Sequence, residues 1–513
     1  MKLLYLLMFF LFVFFSVLSG CSDSGTVITP TAIVATQTPA PTSVKTITPT
    51  PVHQTINPTG GTVTYGKASI KFDAGSVNYD VDINESIEAD DYIPSISTDG
   101  YLYDFSLEDP NAYNPDHRAT ITLPLEDVPD PDIDGLTIYH SKDKINWESL
   151  GGTVNGEYIT AEVPGFSYFT VGEAPIKNPQ VDAKIASFVT TTSPGASVIV
   201  ISNGKIVHRA GYGVKDISNN NAITSETIFH LGSMAKQITA VGVLMLVDEG
   251  KVKLDEPIGT YLPGLSRFGT NVTVRRMLNH TSGMPDYSES GTLYDQFADA
   301  YSKPYNQDAL NFLSVNGTMK FTPGEKHAYN NTGYDMLGCL IEKVSGLPFQ
   351  TFMQQRIFNP LKMSNSFAHP NPGRLSAPNL AHSYERRDGQ ITAYDSSRMD
   401  YLGGSGGVYS TIEDMYLYDQ ALYTDKLVKQ TTLAEAFKPA LLNNGTLYPY
   451  GFGWDIGTRN GKNYVKHDGR WLAFNSNYVR FPDQKLSVII LLNRDYDIPD
   501  LSDLGMSIAD LYL

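Results

Sequence analysis

Ser233 and Lys236 stand three residues apart in Phe229-His-Leu-Gly-Ser-Met-Ala-Lys236. A serine hydroxyl is a weak nucleophile until a neighbouring base takes its proton, and an amine held away from water can be that base. An apolar lead-in reaches Gly232, and apolar residues then recur at helical spacing until Gly250. This pattern predicts a helix with Ser233 in its first turn and Lys236 on the same face. Backbone N–H groups left free at a helix start could hold a developing oxyanion. The spacing alone selects nothing, because Ser141–Lys144 and Ser202–Lys205 share it. Those two pairs flank turns and have no apolar helix behind them.

Two further segments offer chemistry. After the turn Phe321-Thr-Pro-Gly324, His327-Ala-Tyr329-Asn-Asn331 leads into a helical pattern that ends near Gly346. Tyr329 and Asn331, two apart on an extended segment, project to the same side. His467-Asp-Gly469 reads as part of a strand, where a glycine lets a ligand lie close to the backbone. Taken singly, Tyr329 reads equally as a packing tyrosine and His467 as an edge-strand surface histidine. Free lysine and tyrosine, near 10.4 and 10, are almost wholly protonated at neutral pH. Lowering either by about three units takes on the order of 4 kcal/mol, which requires desolvation or a nearby cation.

The elements that must position these groups occupy part of a chain of 513 residues, long enough for two or three domains. The net charge of -17 disfavours a nucleic-acid partner, and none is expected. It is concentrated in residues 59–174, where 5 Lys and Arg face 22 Asp and Glu; residues 175–513 are nearly neutral. Met1 to Gly20 is a lysine followed by an apolar run and small residues, the pattern of a signal peptide. Its ending, Leu18-Ser-Gly-Cys21, resembles the lipobox of prokaryotic lipoproteins, which implies lipid on Cys21 and a membrane-anchored, extracytoplasmic protein. Cys339 reads as a buried helical residue, so no disulfide framework is expected.

Residues 21–58 are rich in Thr and Pro and read as an extended linker. Period-two runs then recur at Thr62–Tyr65, Ser69–Phe72, Tyr101–Phe105, Ala119–Leu123, Leu136–Tyr139, Tyr158–Val163 and Phe166–Val171, which predicts an acidic all-β sandwich over 59–174. Within it, Asp130-Pro-Asp-Ile-Asp134-Gly could wrap oxygens around calcium, but Ser141 stands where a calcium loop would place its glutamate. We read a solvated turn there, and no metal or cofactor anywhere. In residues 180–513, a hairpin at Asn203-Gly204 and late strands at Tyr464–Gly469, Asn475–Phe481 and Leu486–Leu492 bracket a helix-rich middle. This suggests one sheet built from both ends of an α+β region.

Joined in this order, these segments resemble the serine β-lactamase-like, penicillin-recognising superfamily, in its class C β-lactamase, D-aminopeptidase and esterase branch. Lys251-Val-Lys-Leu-Asp-Glu-Pro-Ile258, Leu278-Asn-His-Thr-Ser-Gly283, Gly403-Gly-Ser-Gly-Gly407 and Tyr450-Gly-Phe-Gly-Trp454 look like further landmarks of that group. The resemblance implies a five-stranded antiparallel sheet flanked by helices, a helical subdomain, and a site between them. It implies Ser233 as nucleophile, Lys236 as its amine partner and Tyr329 as general base. Asn331, His467, Gly469 and Arg470 would orient substrate, the backbone N–H of Ser233 and Arg470 forming the oxyanion hole. Gly403–Gly407 reads as structural, entering a helix capped at Ser410. Here His467 replaces the lysine usual in β-lactamases and transpeptidases, which points to a D-aminopeptidase- or esterase-like hydrolase of small-molecule, peptide or ester substrates. A β-lactamase or D,D-carboxypeptidase is the alternative enzyme, and a binding protein on the same fold the alternative of another class.

Overall fold

A computed structural model describes residues 54–513 apart from 89–100, 126–135, 143, 145, 146, 174, 175, 289, 290, 370–374, 376 and 398. The leader, Cys21, most of the linker and the Asp130–Asp134 turn lie outside the described residues. No helix among the described residues is long and apolar enough to cross a membrane.

From Gln54 to Glu173 the alternating runs form two antiparallel sheets. One runs Gln54–Ile56, Val81–Glu88, Leu102–Leu107, Tyr168–Glu173, Leu136–Ser141, Glu148–Ser149; the other runs Gly61–Tyr65, Ala68–Phe72, Ala119–Pro124, Tyr158–Val163, Thr153–Asn155. Inward rows such as Val63, Ile70, Ile121, Ile138, Ile159 and Phe169 close a core between them. The expected seven runs are all strands. Val81–Glu88 is the longest of four further strands, hidden from the pattern because Glu85 occupies an inward position, buried and hydrogen-bonded by Gln54 Nε2 at 3.2 Å.

The rest builds on six antiparallel strands: β1 (Ala196–Ser202), β2 (Lys205–Tyr212), β3 (Asp455–Arg459), β4 (Lys462–Trp471), β5 (Phe474–Phe481) and β6 (Leu486–Leu492), in spatial order β2-β1-β6-β5-β4-β3. Asn203 and Gly204, at φ 53° and 78°, make the tight β1–β2 turn. Asn460 and Gly461, at φ 52° and 74°, repeat it and fold β3 onto β4, so the sheet has six strands and not five. β1 pairs with β6 from Ala196–Leu492 to Ser202–Leu486, joining both ends of the region.

Both faces of this sheet are covered, which is why its central strands are apolar without interruption. Val198, Val200 and Ile490 pack under α1 (Pro179–Ala186) and the closing helix α5 (Leu501–Ala509). Ile199, Ile201, Ile489 and Leu491 face the helical part, which includes α2 (Lys236–Asp248), α3 (Asn331–Ser345) and α4 (Ile412–Ala421). The cap of α4 is Thr411, whose side chain accepts from Asp414 N at 3.0 Å, and not Ser410. Ser410 instead meets Ser366 Oγ at 2.7 Å; its hydroxyl is spent one strand earlier.

Candidate active site

Ser233 lies in a tight 3-10 turn, Gly232–Ala235, that runs directly into α2 at Lys236. The turn is pressed against β4. A Cβ on Gly232 (φ 55°) would come within 2.7 Å of Arg470 N, and one on Gly469 within 2.0 Å of the Leu231 carbonyl and 2.2 Å of Ser476 Oγ. The missing side chain of Gly469 therefore admits the turn that carries the serine, and not a ligand. Beyond the Asp455–Lys466 pair, β3 no longer covers β4, so among the described residues no strand pairs with the 467–471 edge beside Ser233. Arg470 brings its backbone to Gly232, while its side chain turns outward to Asp495 at 3.1 Å.

Lys236 is fully buried. Its Nζ touches three oxygens: Ser233 Oγ at 2.9 Å, Asn331 Oδ1 at 2.8 Å and the Ser405 carbonyl at 2.6 Å. The amide oxygen and the carbonyl can only accept, so a neutral amine would satisfy both with its two protons and aim its lone pair at the serine hydroxyl. Burial holds the amine below its ordinary value, opposed by Asp335 and Asp286. Asp335, itself buried, accepts from Tyr287 Oη at 2.8 Å and Ser405 N at 2.9 Å, and burial holds its carboxyl above the usual range. Asn331 opens α3 after the Asn330 cap; its N–H donates to Asp286 at 2.9 Å and its Nδ2 to Ser288 Oγ at 3.1 Å, which fixes Oδ1 toward Lys236.

Tyr329 joins them, with its ring centroid 4.8 Å from Lys236 Nζ and its phenol hydrogen-bonded to Ser233. Burial raises the phenol above its ordinary value; the Ser233 contact opposes this, and Asp455, Asp286 and Asp468 add to it. Because 37 % of the residue still faces the open cleft, water there softens the shift without reversing it. The resemblance implies Tyr329 as general base, whereas burial, with the carboxylates adding to it, holds this phenol's proton on.

His467 is buried, not a surface residue, and both its nitrogens have protein partners: Tyr450 Oη at 2.9 Å and the Asp468 carbonyl at 2.6 Å. Burial pushes it down to about 4, Lys236 adding to the effect, so it is neutral at pH 7. Sequence reasoning missed Asp335, Asp286, Ser405, His280 and Tyr450. Leu278–Gly283, Gly403–Gly407 and Tyr450–Trp454 carry three of them, but nothing along the chain says which side chain turns inward.

Two cavities meet at Ser233. One of about 520 Å³ is lined by Tyr329, Tyr450, Asp455, Asp468 and Asp500; the other, of about 330 Å³, by Asn331, Met399, Leu402 and Trp471. Among the described residues no group of three or more His, Cys, Asp or Glu could hold a metal ion.

The Beta-lactamase family model matches residues 181–513, well over half of the chain. The chain belongs to the Beta-lactamase family. Within this family of serine hydrolases, it is 30 % identical over 313 residues to Penicillin-binding protein 4* of Bacillus subtilis, covering 59 % of this chain and 68 % of that protein. It is 27 % identical over 308 residues to a D-aminopeptidase of Brucella ovis, covering 60 % of this chain but only 58 % of that protein. Among solved structures, the octameric penicillin-binding protein homologue from Pyrococcus abyssi matches with a TM-score of 0.56 at 25 % identity, over 65 % of this chain and 77 % of that one.

Proposed function

We propose that this member of the Beta-lactamase family is a membrane-tethered, extracytoplasmic serine hydrolase that cleaves an amide or ester through an acyl-enzyme on Ser233. One observation carries the reading: of the three oxygens around Lys236 Nζ, only Ser233 Oγ has a proton to give. Lys236 takes that proton as Oγ bonds to the substrate carbonyl carbon, and the oxyanion forms beside the turn and the free edge of β4. As the scissile bond breaks, the Tyr329 phenol protonates the leaving nitrogen or oxygen. Water then attacks the acyl ester, giving a proton to the Tyr329 phenolate, as the Lys236 ammonium returns its proton to Ser233 Oγ. We assign the base to Lys236 and keep Tyr329 as the acid, since a phenol held above its ordinary value gives a proton only to a strongly basic leaving atom.

A neutral His467 offers no charge to a substrate carboxylate, whereas Asp455, Asp468 and Asp500 give one cavity an acidic wall. This supports substrates with a neutral or cationic end over penicillins. Hydrolysis of a D-aminoacyl nitroanilide, short acyl nitrophenyl esters and penicillin, with a fluorescent phosphonate to label the nucleophile, tests it. Label on Ser233, lost in Ser233→Ala, is expected; label elsewhere, or a preference for the β-lactam, defeats the reading. The tether is tested by replacing Cys21 with serine, which should release the protein from membranes.

Only the unprotonated amine can act as base, and its pKa is lowered. The rate on an ester should therefore climb with pH and level off well below the 10.4 of free lysine. A limb that keeps rising to that value would assign the base to another group.

A further inference from the structure

Beneath Tyr329 lies a chain of hydrogen bonds whose direction is fixed at both ends. Asn330 N–H donates to His280 Nδ1 at 3.1 Å. His280 Nε2 meets Tyr450 Oη at 3.2 Å, Tyr450 Oη meets His467 Nε2 at 2.9 Å, and His467 Nδ1 meets the Asp468 carbonyl at 2.6 Å. A backbone N–H can only donate and a carbonyl can only accept. His280 must then carry its proton on Nε2 and His467 on Nδ1, and Tyr450 must accept from the first and donate to the second.

We propose that His280 and Tyr450 are positioning residues that, with His467, form a one-way relay locking two neutral imidazoles in opposite tautomers under Tyr329. The inference rests on the hydrolase reading for its role, though not for its geometry. All three side chains are buried, and the ring of Tyr329 rests on His280 at 4.4 Å and beside His467 at 6.1 Å.

The arrangement also resists protonation. A second proton on His280 would have to enter at Nδ1, against the Asn330 N–H. One on His467 Nε2 would leave Tyr450 facing two donors, its own proton without a partner in a buried space. Lys236, His327 and His467 face His280, while Lys236, Lys466 and Asp468 face His467. Of these only Asp468 favours a cation, and it is already bonded to Lys466 at 3.1 Å and Asn477 at 2.6 Å. The imidazoles thus form a neutral floor that fixes the phenol near Ser233 without adding a charge beside Lys236.

Nitrogen-15 labelling of histidine in the full chain tests this, with the two signals assigned by His280→Asn and His467→Asn. Asparagine suits position 280, where φ is 58°. In the unmutated protein His280 should show the Nε2–H form and His467 the Nδ1–H form, with neither ring titrating between about pH 5.5 and 8. Tyr450→Phe should leave both tautomers in place, since the Asn330 N–H and the Asp468 carbonyl still hold them, but shift both Nε2 resonances as their hydrogen bonds to the phenol are lost. It should also lower kcat between about 10- and 100-fold, with KM within about twofold. Either histidine in the other tautomer, or titrating normally in the unmutated protein, overturns the relay. A folded Tyr450→Phe with unchanged kcat overturns the positioning role. The spectra need no substrate, so they judge the relay even if no compound in the hydrolysis panel is cleaved.

Discussion

With Lys236 replaced by methionine, acylation of Ser233 is expected to fall between about 100- and 10,000-fold, the range a positioned general base supplies. Methionine keeps an unbranched stem in the same buried slot and removes only the amine. Ser233 would keep its turn, since that turn is held by Gly232 and Gly469 against β4 and not by the lysine. Stopped-flow measurement of acyl-enzyme formation with a nitrophenyl ester isolates the step. Tyr329→Phe is the comparison: it should cost much less on such an ester, whose leaving group departs without a proton, than on an amide. A Lys236→Met enzyme within tenfold of the parent would remove the base from our mechanism.

Asp419→Ala is expected to destabilise the hydrolase region by about 3–5 kcal/mol, the penalty for leaving a buried charge without its partner. Asp419, on α4, accepts at one oxygen from Tyr478 Oη at 2.6 Å, Arg480 Nε at 2.8 Å and Ser487 Oγ at 2.6 Å. Both charged side chains are 1 % exposed. The cluster ties α4 to β5 and β6, and α4 follows the loop whose Ser405 carbonyl holds Lys236. Urea denaturation measures the loss. Changing both partners, Asp419→Leu with Arg480→Met, should recover most of it because no charge is then stranded. A single variant that loses under about 1 kcal/mol would mean that water reaches Arg480 and that the pair does not anchor the helix.

The sheet and the serine were legible because they rest on local signals. Three late runs read as β4, β5 and β6, a turn dipeptide marked β1 and β2, and the glycine and apolar spacing around Ser233 set the start of α2. Tyr329 and Asn331 were found as a pair because two positions of extended chain point one way, and both do reach Lys236. What the sequence hid depends on distant partners. Asp335 sits inside a helical pattern and looks like any polar helix residue until Tyr287 and Ser405 close on it. His467 looked exposed because nothing nearby in sequence covers it; Tyr450 and His280 do. Gly469 was misread for the same reason, since the group filling its empty side comes from Leu231.

The pairing of β1 with β6 has a consequence for how this protein can be made. The hairpin emerges early in synthesis, yet its inner edge stays bare until nearly three hundred later residues have been added. Until then it is a ribbon with one sticky border, the kind that recruits neighbouring chains. A premature stop a few residues short of Leu486 would therefore remove more than a terminal strand: it would strand the first-made part of the sheet and commit the product to aggregation or proteolysis.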